Sequence, residues 1–407
     1  MHRRQFLSSL VFSISALALQ RKAEAELAKM KIKRIRYYKS PRSRTLFNQS
    51  QHIVTVETDQ GITGIGEGGS PDTVRQCAAM LIGDNPSRIE HLWQLMYRGY
   101  FYPPGREKLH ALGALDLALW DIKGKALGVP LYELLGGLSR KHIECYSTGF
   151  PGSGTIQERA RACIEAGFRA FRTSVLGPAR GQAGAFNSIE SVRQTHRHCE
   201  RIREGVGPKG DWCIDYHTRL DLPDAVRLSK LIEDLEPYFV EDLVRSENPG
   251  VYKQLRPQVK VPIAVGEQFG DRWDINELVE QRLIDYSRVT LPNAGGITEF
   301  MKIAALCETH YVGLTPHFTG PISEAALVHT CGVFSGPVLM EMTGGGPREI
   351  PYLPRHYDFR DGKLWPNERP GLGVEVDTSR LQVAAEVTER LRPIPLYRRP
   401  DNSITNW

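Results

Sequence analysis

The sequence predicts an α/β chain: a modified (β/α) TIM barrel behind an N-terminal α+β capping domain. Three observations carry this expectation. Strand-like runs at 31–38, 52–58 and 62–67 precede a largely helical stretch, 71–135, which is the order of a separate α+β unit. From Ile143 the pattern becomes an alternation of short apolar runs and amphipathic stretches. Within it, Asp215, Glu241 and Glu267 each close an apolar run at intervals of 26 residues, the length of one strand and its returning helix.

The chain opens with a segment of another kind. His2-Arg3-Arg4-Gln5-Phe6-Leu7 gives a charged start, residues 10–19 a short apolar core, and Ala16-Leu17-Ala18 and Ala23-Glu24-Ala25 small-residue cleavage sites. The core is too short to span a membrane. The Arg-Arg-x-Phe-Leu order is that of a twin-arginine export signal, so residues 1–29 are read as that signal, with a periplasmic mature protein free of the membrane. A start at Met30 would instead leave the protein cytoplasmic. Residues 30–140 form the capping domain. Asp59-Gln60-Gly61 marks a hairpin turn inside it, residues 111–122 carry helical apolar periodicity, and Leu134-Leu135-Gly136-Gly137 ends the last helix.

Residues 141–345 are assigned to the barrel. Strands are expected at 144–148, 168–174, 211–216, 238–242, 261–267, 285–291, 311–316 and 337–342, and helices at 155–166, 188–205, 222–236 and 297–309 among the connections. Eight strands with seven intervening helices suit a closed parallel barrel. No glycine fingerprint opens the first unit, which argues against an open dinucleotide-binding sheet. The tail, 346–407, is rich in Gly, Pro and aromatics and is expected to run back over the capping domain.

Composition narrows the partners. With 41% hydrophobic and 24% charged residues over 407 positions, the chain is an ordinary globular one. A net charge of +5 without an Arg/Lys stripe excludes a nucleic-acid partner and leaves room for a small anionic substrate. Cys77, Cys145, Cys163, Cys199, Cys213, Cys307 and Cys331 are scattered without a CxxC pair, so they read as buried small hydrophobes.

Carboxylates at the C-terminal ends of successive parallel strands converge at the barrel mouth. One such carboxylate can cap a helix or pair with a cation. Three at matched spacing, Asp215, Glu241 and Glu267, point to a metal centre, and hard oxygen ligands suit Mg2+, with Mn2+ as the alternative. Asp242 follows Glu241 and by the period-two rule faces away as a structural residue. His217 lies two residues beyond Asp215 and shares its face in an extended segment, which sets an acid/base imidazole inside the mouth. His317 follows the seventh strand, across the barrel, so the two histidines would flank a bound substrate. Glu341 closes the eighth strand, where it either hydrogen-bonds a reacting carboxylate or pairs with a cation. Arg172, at the end of the second strand, can fix a substrate carboxylate but stays charged and is a poor base.

Several of these pieces together resemble the enolase superfamily, in its mandelate racemase-like branch, from Met30 over nearly the whole remaining chain. They are Gly64-Ile65-Gly66-Glu67-Gly68, the helix at 114–121, the Asp/Glu/Glu strands, Gly295-Gly296-Ile297-Thr298 and the final-strand Glu341. Ile214-Asp215-Tyr216-His217, Gly295-Gly296-Ile297-Thr298-Glu299 and Thr315-Pro316-His317 are most similar to acid-sugar dehydratases of the galactonate dehydratase type. The resemblance implies a carbon–oxygen lyase (a hydro-lyase) acting on a carboxylate sugar. His317 would take the α-proton, Mg2+ would stabilise the enediolate, and His217 would protonate the departing 3-hydroxyl to give a 2-keto-3-deoxy acid. Arg42, Arg44 and Tyr102 of the capping domain are implied to contact the substrate, and a homo-oligomer is expected.

Two departures from that pattern stand out. The Lys-x-Lys that many relatives carry on strand two is Arg172 and Ser174 here. The strand-six Asp that orients the histidine base is Thr290, and Asp285 lies too far from the mouth to replace it. Two other readings therefore stay open: a racemase, epimerase or cycloisomerase using the same enediolate, and a non-catalytic exported acid-sugar binder.

Overall fold

The computed structural model describes residues 27–40, 52–102, 105–178, 184–317, 320–354, 356–391 and 396–405. Of the segment read as an export signal, 1–29, residues 1–26 fall outside the described residues, as does the segment with Arg42 and Arg44.

The first unit begins with three antiparallel strands, β1 (Ile32–Lys39), β2 (Ile53–Thr58) and β3 (Thr63–Glu67). The turn between β2 and β3 is the one the sequence marks: Gly61 takes φ +81°, and Thr58 both donates to and accepts from Ile62. Four helices follow, α1 (Pro71–Ala79), α2 (Ile89–Arg98), α3 (Gly105–Leu127) and α4 (Leu131–Leu134). Helix α1 starts where Ser70 and Thr73 cap each other's backbone and proline takes the first turn. Helix α3 lies flat on β3 because Gly64 and Gly66 have no side chain. A Cβ at Gly66 would sit 1.8 Å from the Ala114 carbonyl oxygen, and one at Gly64 would sit 2.0 Å from that of Ala118. This is the physical content of the Gly-x-Gly-Glu-Gly run.

The second unit is β4 (Ile143–Thr148), α5 (Ile156–Glu165), β5 (Ala170–Ser174), α6 (Ser188–Val206), β6 (Asp211–Asp215), α7 (Leu222–Leu231), β7 (Val240–Glu241), α8 (Tyr252–Leu255), β8 (Ile263–Val265), α9 (Arg272–Glu280), β9 (Tyr286–Ser287), α10 (Ile297–Thr309), β10 (Gly313–Leu314), α11 (Pro321–Val333) and β11 (Met340–Thr343). Each strand from β4 to β10 pairs in parallel with the next; β11 pairs with β4, and a Leu314–Val338 bridge closes the ring. The barrel thus has eight parallel strands and seven helical connections among the described residues. The helix expected over 222–236 stops at Leu231 and tightens to a 3-10 turn, Glu233–Leu235. Glu236 then takes φ +50° ahead of Pro237, which cannot extend a helix. Strands expected to be long, such as 285–291, pair over only two residues because their outer halves leave the ladder to build the mouth.

A hairpin of β12 (Asp358–Arg360) and β13 (Lys363–Trp365) joins the start of β4, and β14 (Gln382–Val387) pairs antiparallel with β1. The two units are tied by carboxylates of the first on helix starts of the second. Asp116 accepts from Thr298 N (3.0 Å) and Thr298 Oγ1 (2.6 Å) at the start of α10. Glu67 Oε2 accepts from Ile322 N (3.1 Å) and Ser323 N (3.0 Å) at the start of α11. Burial pushes the Glu67 carboxyl up to about 8 and that of Asp116 up to about 7.

The floor of the barrel is a small apolar plug of Tyr146, Ala170, Cys213, Phe239, Ala264 and Leu339. Side chains two residues further along a strand point the same way, one layer up. That rule carries Ala170 to Arg172, Cys213 to Asp215, Phe239 to Glu241, Tyr286 to Arg288 and Leu339 to Glu341. An apolar floor therefore supports a charged layer.

Candidate active site

In that layer two guanidiniums lie among the strand-end carboxylates. Arg172 is 7% exposed. Its Nη1 donates to Glu341 Oε1 (2.9 Å) and Thr148 Oγ1 (3.0 Å), its Nη2 donates to Asp215 Oδ2, and its Nε lies 3.0 Å from Glu241 Oε2. Arg288 is fully buried. It donates to Glu241 Oε1 and Glu341 Oε2, to Tyr146 Oη at 2.6 Å and to the Thr315 carbonyl at 3.1 Å, and it lies 3.8 Å from Glu267 Oε2. Gly266, with φ +148°, lets the exit of β8 come close: a Cβ there would meet Val289 N at 2.7 Å.

These contacts locate the expected residues. Glu341 pairs with cations, the second of its two expected roles, and both arginines hold its carboxyl well below the ordinary range against the opposing effect of burial. Arg172, expected to fix a substrate carboxylate, is already engaged with carboxylates of the protein itself. Asp215 has a partner on each oxygen, Arg172 on Oδ2 and the backbone N–H of His217 on Oδ1 at 2.5 Å, which leaves a lone pair on each.

Asp242 corrects the sequence reading. It was expected to face away from Glu241, yet one oxygen each of Glu241, Asp242 and Glu267 lie within 4.8 Å of one another. The period-two rule requires extended backbone, and Asp242 has φ +42°, just past a strand only two residues long. The same failure of extension occurs at His217 and Thr218, with φ +50° and +54°.

The histidines sit on the two oxygens of one carboxylate. His217 Nε2 is 3.6 Å from Glu267 Oε1, and His317 Nε2 is 3.7 Å from Glu267 Oε2. The His217 side chain is 53% exposed and that of His317 is 13% exposed, so one faces the open mouth and the other its wall. On the far side of the His317 ring, Nδ1 lies 2.9 Å from Thr290 Oγ1. Burial lowers the His317 pKa, with the Glu267 charge opposing. Burial also raises the Glu267 pKa, but His317, Arg288, Arg172 and His217 outweigh it and leave the carboxylate below its usual value.

The residues present fit a divalent cation. Five carboxylates, Asp215, Glu241, Asp242, Glu267 and Glu341, share the two guanidiniums of Arg172 and Arg288, with His217 and His317 beside Glu267. Glu241 Oε2 and Asp242 Oδ2 are buried and accept no hydrogen bond. Burial drives the carboxyls of Glu241 and Asp242 well above their usual values, and for Asp242 the neighbouring Glu267 and Asp215 charges add to it. Hard oxygens without a hydrogen bond, in a buried site with more carboxylates than guanidiniums, are what Mg2+ or Mn2+ relieves. Of the remaining expected residues, Tyr102 is 77% exposed, its ring edge-on to Phe101, and Asp285 is bound to Arg256 (2.8 Å). Arg288 escaped the sequence reading; its one signal was its position two residues past Tyr286 and two before Thr290.

A family model described as enolase C-terminal domain-like matches residues 155–380, and one described as mandelate racemase/muconate lactonizing enzyme, N-terminal domain, matches residues 39–136. The chain is 35% identical over 394 residues to the D-galactonate dehydratase of Pectobacterium atrosepticum, covering 93% of this chain and 100% of the relative. It is 36% identical over 371 residues to that of Xanthomonas oryzae pv. oryzae, covering 87% and 96%. Among solved structures, a member of the enolase superfamily from Salmonella Typhimurium superposes with a TM-score of 0.80 at 26% identity, covering 88% of this chain and 100% of that one. An enolase from Pantoea ananatis with bound D-gluconate and Mg superposes with a TM-score of 0.76 at 27% identity, covering 86% and 93%.

Proposed function

The chain belongs to the mandelate racemase/muconate lactonizing enzyme family of the enolase superfamily, and on that premise we propose that it is a hydro-lyase that dehydrates a sugar acid to a 2-keto-3-deoxy acid. The relatives named D-galactonate dehydratase and the neighbour holding D-gluconate and Mg support an aldonate-type substrate and Mg2+. The observation that carries the reading is the pair of imidazoles 3.6 and 3.7 Å from opposite oxygens of Glu267, beside the carboxylate cluster.

Glu241 and Glu267, with a further strand-end carboxylate such as Asp215, would hold the cation. A divalent cation bound there supplies positive charge to the substrate carboxylate and so stabilises the negative charge that develops when the α-proton leaves. The protein's own residues do the rest. Thr290 Oγ1 donates toward the Glu267 carbonyl (3.5 Å), so its lone pair accepts from His317 Nδ1–H and leaves Nε2 unprotonated. His317 Nε2 takes the proton from C2. As the C2=C3 bond forms, the C3–O bond breaks and His217 gives its proton to the leaving hydroxyl, releasing water. The resulting enol takes a proton at C3 and becomes the keto acid. Arg172 and Arg288 hold Glu341, Asp215 and Glu241 in place while these charges move.

The test is a panel of sugar acids, D-galactonate and D-gluconate among them, incubated with the protein and Mg2+ and assayed for 2-keto acid. Keto acid formation is expected. Epimerised acid without keto acid would assign the same two histidines to an isomerase, and a metal-loaded protein that binds a sugar acid without changing it would be a binder. The Arg3-Arg4 segment supports export to the periplasm, and N-terminal sequencing of the mature protein tests that part separately.

A further inference from the structure

We propose that the mouth of the barrel carries a second anion subsite, built around Arg348, that takes the far carboxylate of a sugar diacid. The inference rests on the sugar-acid reading above and extends its substrate class beyond acids with one carboxylate. A cavity of about 220 Å³ opens between the exits of β10 and β11, with Gly320, Pro321, Glu324, Thr343, Arg348 and His356 in its wall. That is less than a whole small-molecule site occupies, so it suits one end of a substrate. Thr343 is the exposed last residue of β11, two positions past the buried Glu341. The two side chains share a face, and the strand rises about 7 Å between them, a height that the carbon chain of a hexose-derived acid covers. The cavity therefore starts at the rim of the site, one layer above the carboxylates.

The loop after β11 brings a guanidinium there. Gly344, Gly345 and Gly346 take φ of +56°, +93° and +131°, which residues with a side chain rarely adopt. Gly346 N donates to the Thr343 carbonyl (3.2 Å), and Arg348 Nη2 lies 3.7 Å from where a Cβ of Gly344 would stand. Among the described residues Arg348 has no hydrogen bond or ion pair. Arg172 and Arg288 are committed to the carboxylates of the layer below. On the other described exits, Arg219 donates to the Val175 carbonyl (3.1 Å), Arg245 pairs with Glu247, and Arg272 pairs with Glu299 (2.6 Å). Arg348 is thus the guanidinium left to a ligand, and its planar fork matches a carboxylate through two parallel hydrogen bonds. A phosphate ester suits the place less well. It would call on the N–H groups at the start of α11, and those of Ile322 and Ser323 already donate to Glu67 Oε2. Glu324, in the cavity wall, accepts from Tyr357 Oη. Burial pushes its carboxyl up to about 7, which weakens the negative charge set against an anion.

The experiment uses the full chain with Mg2+ and two matched pairs of acids, D-gluconate with D-glucarate and D-galactonate with galactarate. Within a pair the acids differ only at the far carbon, a hydroxymethyl group in one and a carboxylate in the other. The ratio of kcat/KM for the diacid to that for its partner is expected to fall by at least about tenfold in Arg348→Gln, through KM. An unchanged ratio, or a fall carried by kcat alone, overturns the subsite, as does a parent chain that neither binds nor converts a diacid. Conversion of none of the four acids fails the dehydratase reading instead. The ratio of dissociation constants from isothermal titration calorimetry then decides the subsite, with the same tenfold fall expected and an unchanged ratio overturning it.

Discussion

Thr290 Oγ1 lies 2.9 Å from His317 Nδ1 and turns the other ring nitrogen toward Glu267. A threonine fixes the ring and its tautomer as a carboxylate would, but it brings no charge to stabilise imidazolium. With burial also lowering the His317 pKa, the ring is neutral and able to accept a proton at pH values where an exposed imidazole would be half charged. The acid limb of the kcat/KM profile is therefore expected below 6.5, the ordinary imidazole value. Thr290→Asp should move that limb upward, and Thr290→Val should lower kcat by at least about tenfold while leaving the fold intact. An unmoved limb in Thr290→Asp would show that His317 is not the group being titrated.

His217→Asn and His317→Asn should each lower turnover of the sugar acid by about 10²–10⁴-fold, with substrate binding largely kept. The two effects should not multiply, since each blocks one of two coupled proton transfers. Full activity in either variant, measured as keto acid release, would remove that residue from the mechanism.

Arg288 joins Glu241 to Glu341 in the barrel centre with no solvent access. Arg288→Met should destabilise the fold by about 3–5 kcal/mol in urea denaturation, because it leaves the buried Glu241 and Glu341 to share the single guanidinium of Arg172. Added Mg2+ should return part of that loss by binding the folded state. A variant as stable as the parent would mean that the guanidinium is not what holds the layer together.

How much of this was legible in the sequence follows from where regular backbone ends. The 26-residue spacing reported the strand-to-strand interval of the barrel, and the helix expected at 297–309 is α10, residue for residue. The Gly64 and Gly66 pair reported a close helix approach. What stayed hidden depended on departures from extension or on closure of the ring. Asp242 has positive φ, so the two-residue periodicity that places Glu241 does not place it; His217 was expected in the mouth and lies there beside Glu267, but on a backbone of positive φ rather than the extended one assumed. Arg288 looks like a single charge in an apolar run until β9 is paired on both sides and its inward face is enclosed.

Glu67 links the two units and is expected to tune stability with pH. Its carboxyl rises from 4.5 when unfolded to about 8 when buried, so between those values the folded chain holds a proton that the unfolded chain releases. Stability contributed by the protonated form is complete below 4.5 and declines as pH rises toward 8, with a slope of up to ~1.4 kcal/mol per pH unit. Glu67→Gln should flatten this decline in denaturation curves taken across that window. An unchanged slope would place the pH dependence elsewhere.

The central claim, that His317 and His217 carry out a dehydration rather than an epimerisation, is tested most directly by turnover of a sugar acid in D2O. Mass and NMR analysis of the product should find a 2-keto-3-deoxy acid with solvent deuterium at C3, the position filled when the enol becomes the ketone. Recovery of the intact acid with deuterium at C2 and the 3-hydroxyl still in place would contradict it.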